Sequence, residues 1–305
     1  MNKKIITALV ALTLVLPTTA QAALKNRTVE SIPSLAIIDT ALDTSIPEFN
    51  GKIAYEVCII EWSTCPNGKS FMEGPGSAGM PLNFMQKNGF DHGTQMTFSA
   101  IQANPNMNVV FIRIVGNTSN GGRQLVNESV LVSALQWVYD NKTKFNIQAL
   151  SMSQGTHNLP NKVNYCPNTP NTESLVTKLK NEGTPSFFPV GNSKDYSRID
   201  WPACIPNSIA VGATMPGDYI ASYGNFDPKL TDLFALGSLR VKVPGNTYIN
   251  AAGTSVSAQL AAANWVKVKS NNTSMSYQDI YNLILSKSTN VVGKNSFGKM
   301  IEMRS

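Results

Sequence analysis

Histidine is nearly absent, with two residues in a chain of 305. Neither C-x-x-C nor H-E-x-x-H accompanies those two histidines and the four cysteines, so the donor patterns of common zinc sites are missing and no metal is assigned. Charge is scarce as well, at 14% of residues, with 25 Lys and Arg against 19 Asp and Glu. The formal net charge of +6 falls to 6 − 2 = +4 once Lys3 and Lys4 are set aside with the leader described below. The remaining basic residues are scattered rather than massed into a stripe, which argues against nucleic acid as a partner. The one long apolar run, Ile5 to Leu16, is shorter than the roughly 20 residues a bilayer-spanning helix requires. Repeats and low-complexity linkers are lacking too, so residues 23–305 read as one domain.

What is present begins with that run. Lys3 and Lys4 precede it, and Ala20-Gln21-Ala22 supplies the small-residue pattern at which a leader is cleaved. Residues 1–22 therefore read as a signal peptide, and the mature chain is expected to be secreted or periplasmic without stable membrane insertion. Outside the reducing cytosol, Cys58, Cys65, Cys166 and Cys204 are expected to pair. Four cysteines allow three connectivities. The short interval favours Cys58 with Cys65, which leaves Cys166 with Cys204.

Apolar, β-branched runs alternate with stretches of helical period, the pattern of a doubly wound, mostly parallel β-sheet flanked by helices on both faces. Buried strands are predicted at Leu35–Asp39, Val109–Val115, Ile147–Met152, Ser186–Val190 and Ile209–Ala213, with a further strand-like run at Leu230–Ala235. Helices are predicted at Gly93–Ala103, Leu125–Asn141, Thr172–Asn181, Ser255–Ser270 and Tyr277–Ser286. Loops are expected at Asn67–Gly79, Gly116–Gly122, His157–Asn171 and Asn192–Trp201. Such long connections at the carboxyl ends of strands are where α/β proteins build clefts.

Three short segments carry chemistry. Leu35-Ala36-Ile37-Ile38-Asp39 is a buried strand ending on an acid, which can accept a hydrogen bond from a histidine ring and fix its tautomer. Asp91-His92-Gly93-Thr94 sets one of the two histidines at the start of a helical run. Gly253-Thr254-Ser255 sets a serine in the first turn of an Ala-rich helix, beside unpaired N–H groups and the positive end of the helix dipole. Each alone reads equally as a turn acid, a surface histidine or a helix cap.

Taken together and in this order, the three segments resemble the subtilisin-like serine proteases, whose chain order is Asp, His, Ser. The resemblance extends to Phe187-Phe188-Pro189-Val190-Gly191-Asn192, to Trp201-Pro202-Ala203 with Asn207 through Ala213, to Ala221-Ser222-Tyr223-Gly224-Asn225, and to Asp232 through Gly237. It implies a serine endopeptidase working through an acyl-enzyme, with Ser255 as nucleophile, His92 as general base and acid, Asp39 as orienting acid, and Asn192 completing an oxyanion hole. It implies polypeptide substrates bound in extended form, with Ser153, Gln154 and Gly155 lining the primary pocket. Asn120, Gly121 and Gly122 would form an edge to which substrate backbone adds as a strand. No cofactor is required for that chemistry.

Departures from the family pattern are Ala41 in place of a glycine, Gln95 in place of a second histidine, Gln259-Leu260 in place of Pro-His, and Pro189 in place of a small residue. The usual calcium loop is replaced by Gln102 to Asn108, so structural calcium has no assignable ligands. Only Ala23 to Ser34 separate the leader from the first strand, too few for a propeptide, so folding is expected to proceed unaided or with a separate assistant. An α/β-hydrolase esterase is excluded by order, because the last histidine of the chain is His157, so none follows Ser255, and no G-x-S-x-G elbow occurs. A non-catalytic, subtilase-like binding protein is the alternative.

Overall fold

Buried residues of the strands alternate between two cores, and this alternation organises the molecule. The computed structural model describes residues 32–155, 166–293 and 296–300. Its strands are β1 (Ser34–Asp39), β2 (Ile53–Ile59), β3 (Phe71–Glu73), β4 (Asn108–Arg113), β5 (Ile147–Met152), β6 (Ser186–Pro189), β7 (Ile209–Met215), β8 (Tyr219–Ile220), β9 (Leu233–Leu236), β10 (Ser238–Val243), β11 (Thr247–Ala252), β12 (Thr289–Gly293) and β13 (Ser296–Met300). Its helices are α1 (Leu82–Asn88), α2 (His92–Ala103), α3 (Glu128–Asn141), α4 (Pro170–Asn181), α5 (Thr254–Asn271) and α6 (Tyr277–Ser286).

A parallel set runs in the order β2-β4-β1-β5-β6-β7-β9. The short strand β3 adds antiparallel to β2, while β8, β12 and β13 link β7 round to β9. Leu35 and Ile37 of β1, with Val109 and Phe111 of β4, pack into one core with Met96 of α2 and Trp265 of α5. Their neighbours Ala36, Ile38, Val110 and Ile112 pack into the other core with Leu131 of α3 and Leu175 of α4. Side chains in a strand alternate with period two, so helices on both faces demand strands that are apolar throughout.

Strand β1 lies between β4 and β5, and the chain winds outward from it in both directions. Its carboxyl end is therefore the topological switch point, where open α/β sheets form their crevice. Asp39 ends β1 there, with the parity of Leu35 and Ile37, so it faces the side covered by α2 and α5.

Differences from the sequence expectations have local causes. Helix α3 begins at Glu128 rather than near Leu125 because Asn127 caps it, its Oδ1 accepting from Val130 N at 3.0 Å. Strand β3 lies inside the expected loop Asn67–Gly79. Strand β2 lies where the sequence pattern predicts no strand. Its register shifts between Ile53 and Tyr55, and buried Glu56 interrupts its apolar run, accepting from Gly76 N at 2.9 Å and Ala78 N at 3.3 Å. The β10–β11 hairpin was missed although Pro244-Gly245-Asn246 announces it, Gly245 and Asn246 having φ of 84° and 64°. Leu230 lies in a turn, its N–H donating to Asp227 O at 3.3 Å, and β9 starts only at Leu233. Cys58 is bonded to Cys65 and Cys166 to Cys204. Residues 1–22 and His157 lie outside the described residues.

Candidate active site

Asp39 is fully buried, and its carboxylate is held by three donors. Thr40 N donates to Oδ1 at 2.6 Å and Gln154 Nε2 donates to Oδ1 at 3.0 Å. His92 Nδ1 lies 2.9 Å from Oδ1 and 3.0 Å from Oδ2. A carboxylate only accepts, so the shared proton resides on Nδ1 and Nε2 is left as the acceptor of the neutral ring. That is the tautomer a general base needs.

His92 reaches Asp39 because α2 starts very close to the end of β1. Gly93 N donates to Thr40 Oγ1 at 2.9 Å, and Thr40 Oγ1 donates in turn to Phe90 O at 2.9 Å. A Cβ on Gly93 would stand 2.5 Å from Ala41 O and 2.6 Å from Phe111 Cζ, so only glycine lets the helix approach this closely. The His-Gly pair seen in the sequence thus has a steric reason. The ring keeps 23% of its surface exposed, turned to the cleft while Asp39 is sealed below it.

Ser255 is the second residue of α5, an 18-residue helix. Gly253 N donates to Gly237 O at 2.8 Å, and Tyr223 Oη donates to the same carbonyl at 2.7 Å, fixing the turn that delivers the serine. Burial raises the Tyr223 phenol above its ordinary range, so it remains the donor in that bond. Asn192 follows β6 and is anchored by its carbonyl. Thr254 N and Thr254 Oγ1 donate to Asn192 Oδ1 at 3.0 and 3.1 Å. With Oδ1 engaged, the amide Nδ2 is the group left to donate to a ligand.

His92, Asn192 and Ser255 line one cleft of about 240 Å³, together with Ser153, Gln154 and Gly155. The expected residues at the ends of β1 and β6, at the starts of α2 and α5 and in the pocket-lining segment therefore converge. The edge residues do not share this cleft. Asn120 and Gly121 line a neighbouring cavity of about 630 Å³ with Phe84 and Lys87. The segment also closes on itself, Gly121 N donating to Thr118 O at 2.9 Å and Gly122 O accepting from Thr118 N at 2.7 Å. Those two backbone groups are engaged within the turn rather than presented to a substrate strand.

Contacts that sequence reading did not find also shape the site. Gln154 was expected as pocket lining, yet it also bonds Asp39, as described above. Gln259 is fully buried one turn after Ser255, and its Nε2 donates to Ser153 Oγ at 3.0 Å. Ser153 Oγ donates to Ser255 O at 3.3 Å, so the helix and the cleft wall are stitched together where the family has a proline. Helix α5 runs unbroken from Thr254 to Asn271. Thr254, the residue before the serine, is the anchor of Asn192.

This geometry defines a class: an α/β protein whose switch point gathers an acid-held imidazole and a serine at a helix N-terminus into one cleft. The sequence profile of the Subtilase family matches residues 31–300, and the chain belongs to that family. It is 27% identical over 220 residues to the Alkaline elastase YaB of Bacillus sp. (strain YaB), covering 69% of this chain and 53% of that protein. It is 25% identical over 275 residues to an Alkaline protease of Alkalihalobacillus alcalophilus, covering 87% of this chain and 61% of that protein. The chain thus spans between half and two thirds of the length of these two relatives. Among solved structures, a protease from Pseudoalteromonas arctica PAMC 21717 superposes with a TM-score of 0.70 at 16% identity, over 90% of this chain and 89% of that one.

Proposed function

We propose that the protein is a secreted serine endopeptidase that hydrolyses peptide bonds through an acyl-enzyme. The observation that carries the reading is the buried Asp39 carboxylate held at 2.9 Å from His92 Nδ1, in a cleft lined also by Ser255 and Asn192. His92 Nε2 takes the hydroxyl proton of Ser255 as its Oγ bonds to the scissile carbonyl carbon, and the imidazolium then protonates the departing amine. Asp39 stabilises the charge that forms on the ring. The oxyanion receives hydrogen bonds from Asn192 Nδ2 and from the Ser255 backbone N–H, a first-turn donor that the helix itself leaves unpaired. Water attacks the acyl-enzyme by the same route in reverse. No step runs through a metal or cofactor. In the segment that replaces the family's calcium loop, Asn104 Nδ2 donates to Ala263 O at 3.3 Å and Asn104 Oδ1 accepts from Asn106 N at 3.2 Å.

Export rests on the leader pattern at residues 1–22, and among the described residues no helix is long and apolar enough to cross a membrane. The test is labelling of the purified protein with a fluorophosphonate probe, followed by mass spectrometric mapping. Modification at Ser255 that disappears in His92→Ala is the expected outcome. A folded protein that takes no label would establish the non-catalytic, binding alternative instead.

A further inference from the structure

Arg113 ends β4 in the middle of the sheet, level with Asp39 of β1 on one side and Cys58 of β2 on the other, and keeps only 2% of its surface exposed. Its guanidinium is held by two backbone carbonyls. Nε donates to Val115 O at 3.3 Å and Nη1 donates to Gly79 O at 3.2 Å. An arginine carries five N–H donors, so both on Nη2 and one on Nη1 are left without a protein acceptor among the described residues. Nor does any carboxylate there form an ion pair with it. The acids on the adjoining strands are engaged elsewhere, Asp39 by His92 and Gln154, Glu56 by Gly76 N and Ala78 N. Burial pulls the guanidinium down to about 10, so it stays charged at neutral pH.

With its backbone enclosed by β1 and β2, Arg113 reaches outward only through its side chain, which forms part of the wall of a cavity of about 420 Å³. This cavity shares no lining residue with the cleft of His92 and Ser255. Pro66, Met80 and Pro81 make one wall apolar, and Thr64 stands exposed at the rim. Asn117 also borders it, but its Oδ1 already accepts from Ser63 Oγ at 2.9 Å. No acidic side chain lines the cavity. A buried cation with open donors is costly unless an anion meets it. The planar guanidinium matches the two oxygens of a carboxylate, and the apolar wall suits a short hydrocarbon stem behind them.

We infer that Arg113 and the cavity before it form a carboxylate-binding site, separate from the cleft of Ser255. The carboxylate is that of a free short-chain acid or of a peptide C-terminus, and the guanidinium meets the same two oxygens in either. The inference stands apart from the endopeptidase reading, because none of the groups it uses takes part in the proposed hydrolysis.

Isothermal titration calorimetry at constant ionic strength, on protein carrying Ser255→Ala to prevent self-digestion, measures the binding of butyrate, butyramide and chloride. Butyrate should bind at a single site, and butyramide and chloride about tenfold more weakly or not at all, since each lacks the charge or the paired oxygens. Arg113→Lys keeps the charge but not the planar fork and should weaken butyrate about tenfold. Thr64→Glu, a change at the exposed rim that spares the fold, brings a carboxylate to the cavity from within and should abolish butyrate binding. N-acetyl-trialanine with a free C-terminus, against its C-terminal amide, separates the two sources. Tighter binding of the free-acid peptide than of butyrate, lost in Thr64→Glu, assigns the site to a chain terminus; weaker binding assigns it to a small acid, and both uphold the site. No binding of butyrate, equal binding of butyramide or chloride, or undiminished butyrate binding in Thr64→Glu and Arg113→Lys overturns the inference.

Discussion

Asp39 accepts from three donors, and only Gln154 can be removed without touching backbone or base. A hydrogen bond to a charged group contributes about 1.5–3 kcal/mol. Gln154→Leu should therefore lower kcat/KM about tenfold, while Gln154→Glu, which sets a second carboxylate beside the first, should lower it further because two like charges at that distance cannot both persist. Steady-state kinetics on one peptide substrate checks the order, and a Glu variant as active as wild type would contradict it. Asn192→Ala removes an oxyanion donor and should reduce kcat by about 10²–10³ with KM little changed, the size of effect measured for such a donor in a subtilisin. Asp39, His92, Ser255 and Asn192 were legible because their local motifs occur in a fixed chain order. Gln154 was legible only as pocket lining, since its bond to a partner 115 residues away leaves no local signature and glutamine carries none of its own.

At the scale of elements, the site depends on how closely α2 approaches the end of β1. Gly93→Ala would force a methyl group against Ala41 O, just past the end of β1, and the Phe111 ring of β4, and overpacking of this kind costs about 1–3 kcal/mol. The variant should melt at lower temperature and also lose kcat disproportionately, since the shift that relieves the clash carries His92 away from Asp39. Differential scanning calorimetry paired with kinetics separates the two effects, and a lower Tm with unchanged kcat would remove the positioning role. The strands of the parallel core were readable because burial on both faces leaves an uninterrupted apolar run, as in β1 and β4. Strand β2 sits next to the edge and mixes Tyr55 and Glu56 into its run, so its tertiary pairing with β4 decides its conformation more than its own sequence does. The β10–β11 hairpin shows the converse, a clear turn signal between two strands whose own residues give little sign of one.

Across the whole molecule, the two disulfides close loops of very different length, with sequence separations of 7 and 38. The chain-entropy account gives a stabilisation of ~2 kcal/mol for the shorter loop and ~4 kcal/mol for the longer, because a longer loop removes more freedom from the unfolded chain. Their surroundings sharpen the contrast. Cys58–Cys65 staples β2 to its own following turn within a small satellite cluster. Cys166–Cys204 joins the approach to α4 with the segment that follows Asp200 and Trp201, so it ties one covering helix to the wall of the cleft. Replacing Cys166 and Cys204 by serine should therefore lower stability about one and a half times as much as replacing Cys58 and Cys65, and only the first pair of changes should also slow hydrolysis. Denaturant unfolding in a Ser255→Ala background, where self-digestion is suppressed, measures the first effect, and kinetics in the unsubstituted background measures the second. Equal losses from the two pairs would show that native-state strain, rather than loop length, sets what each bond contributes.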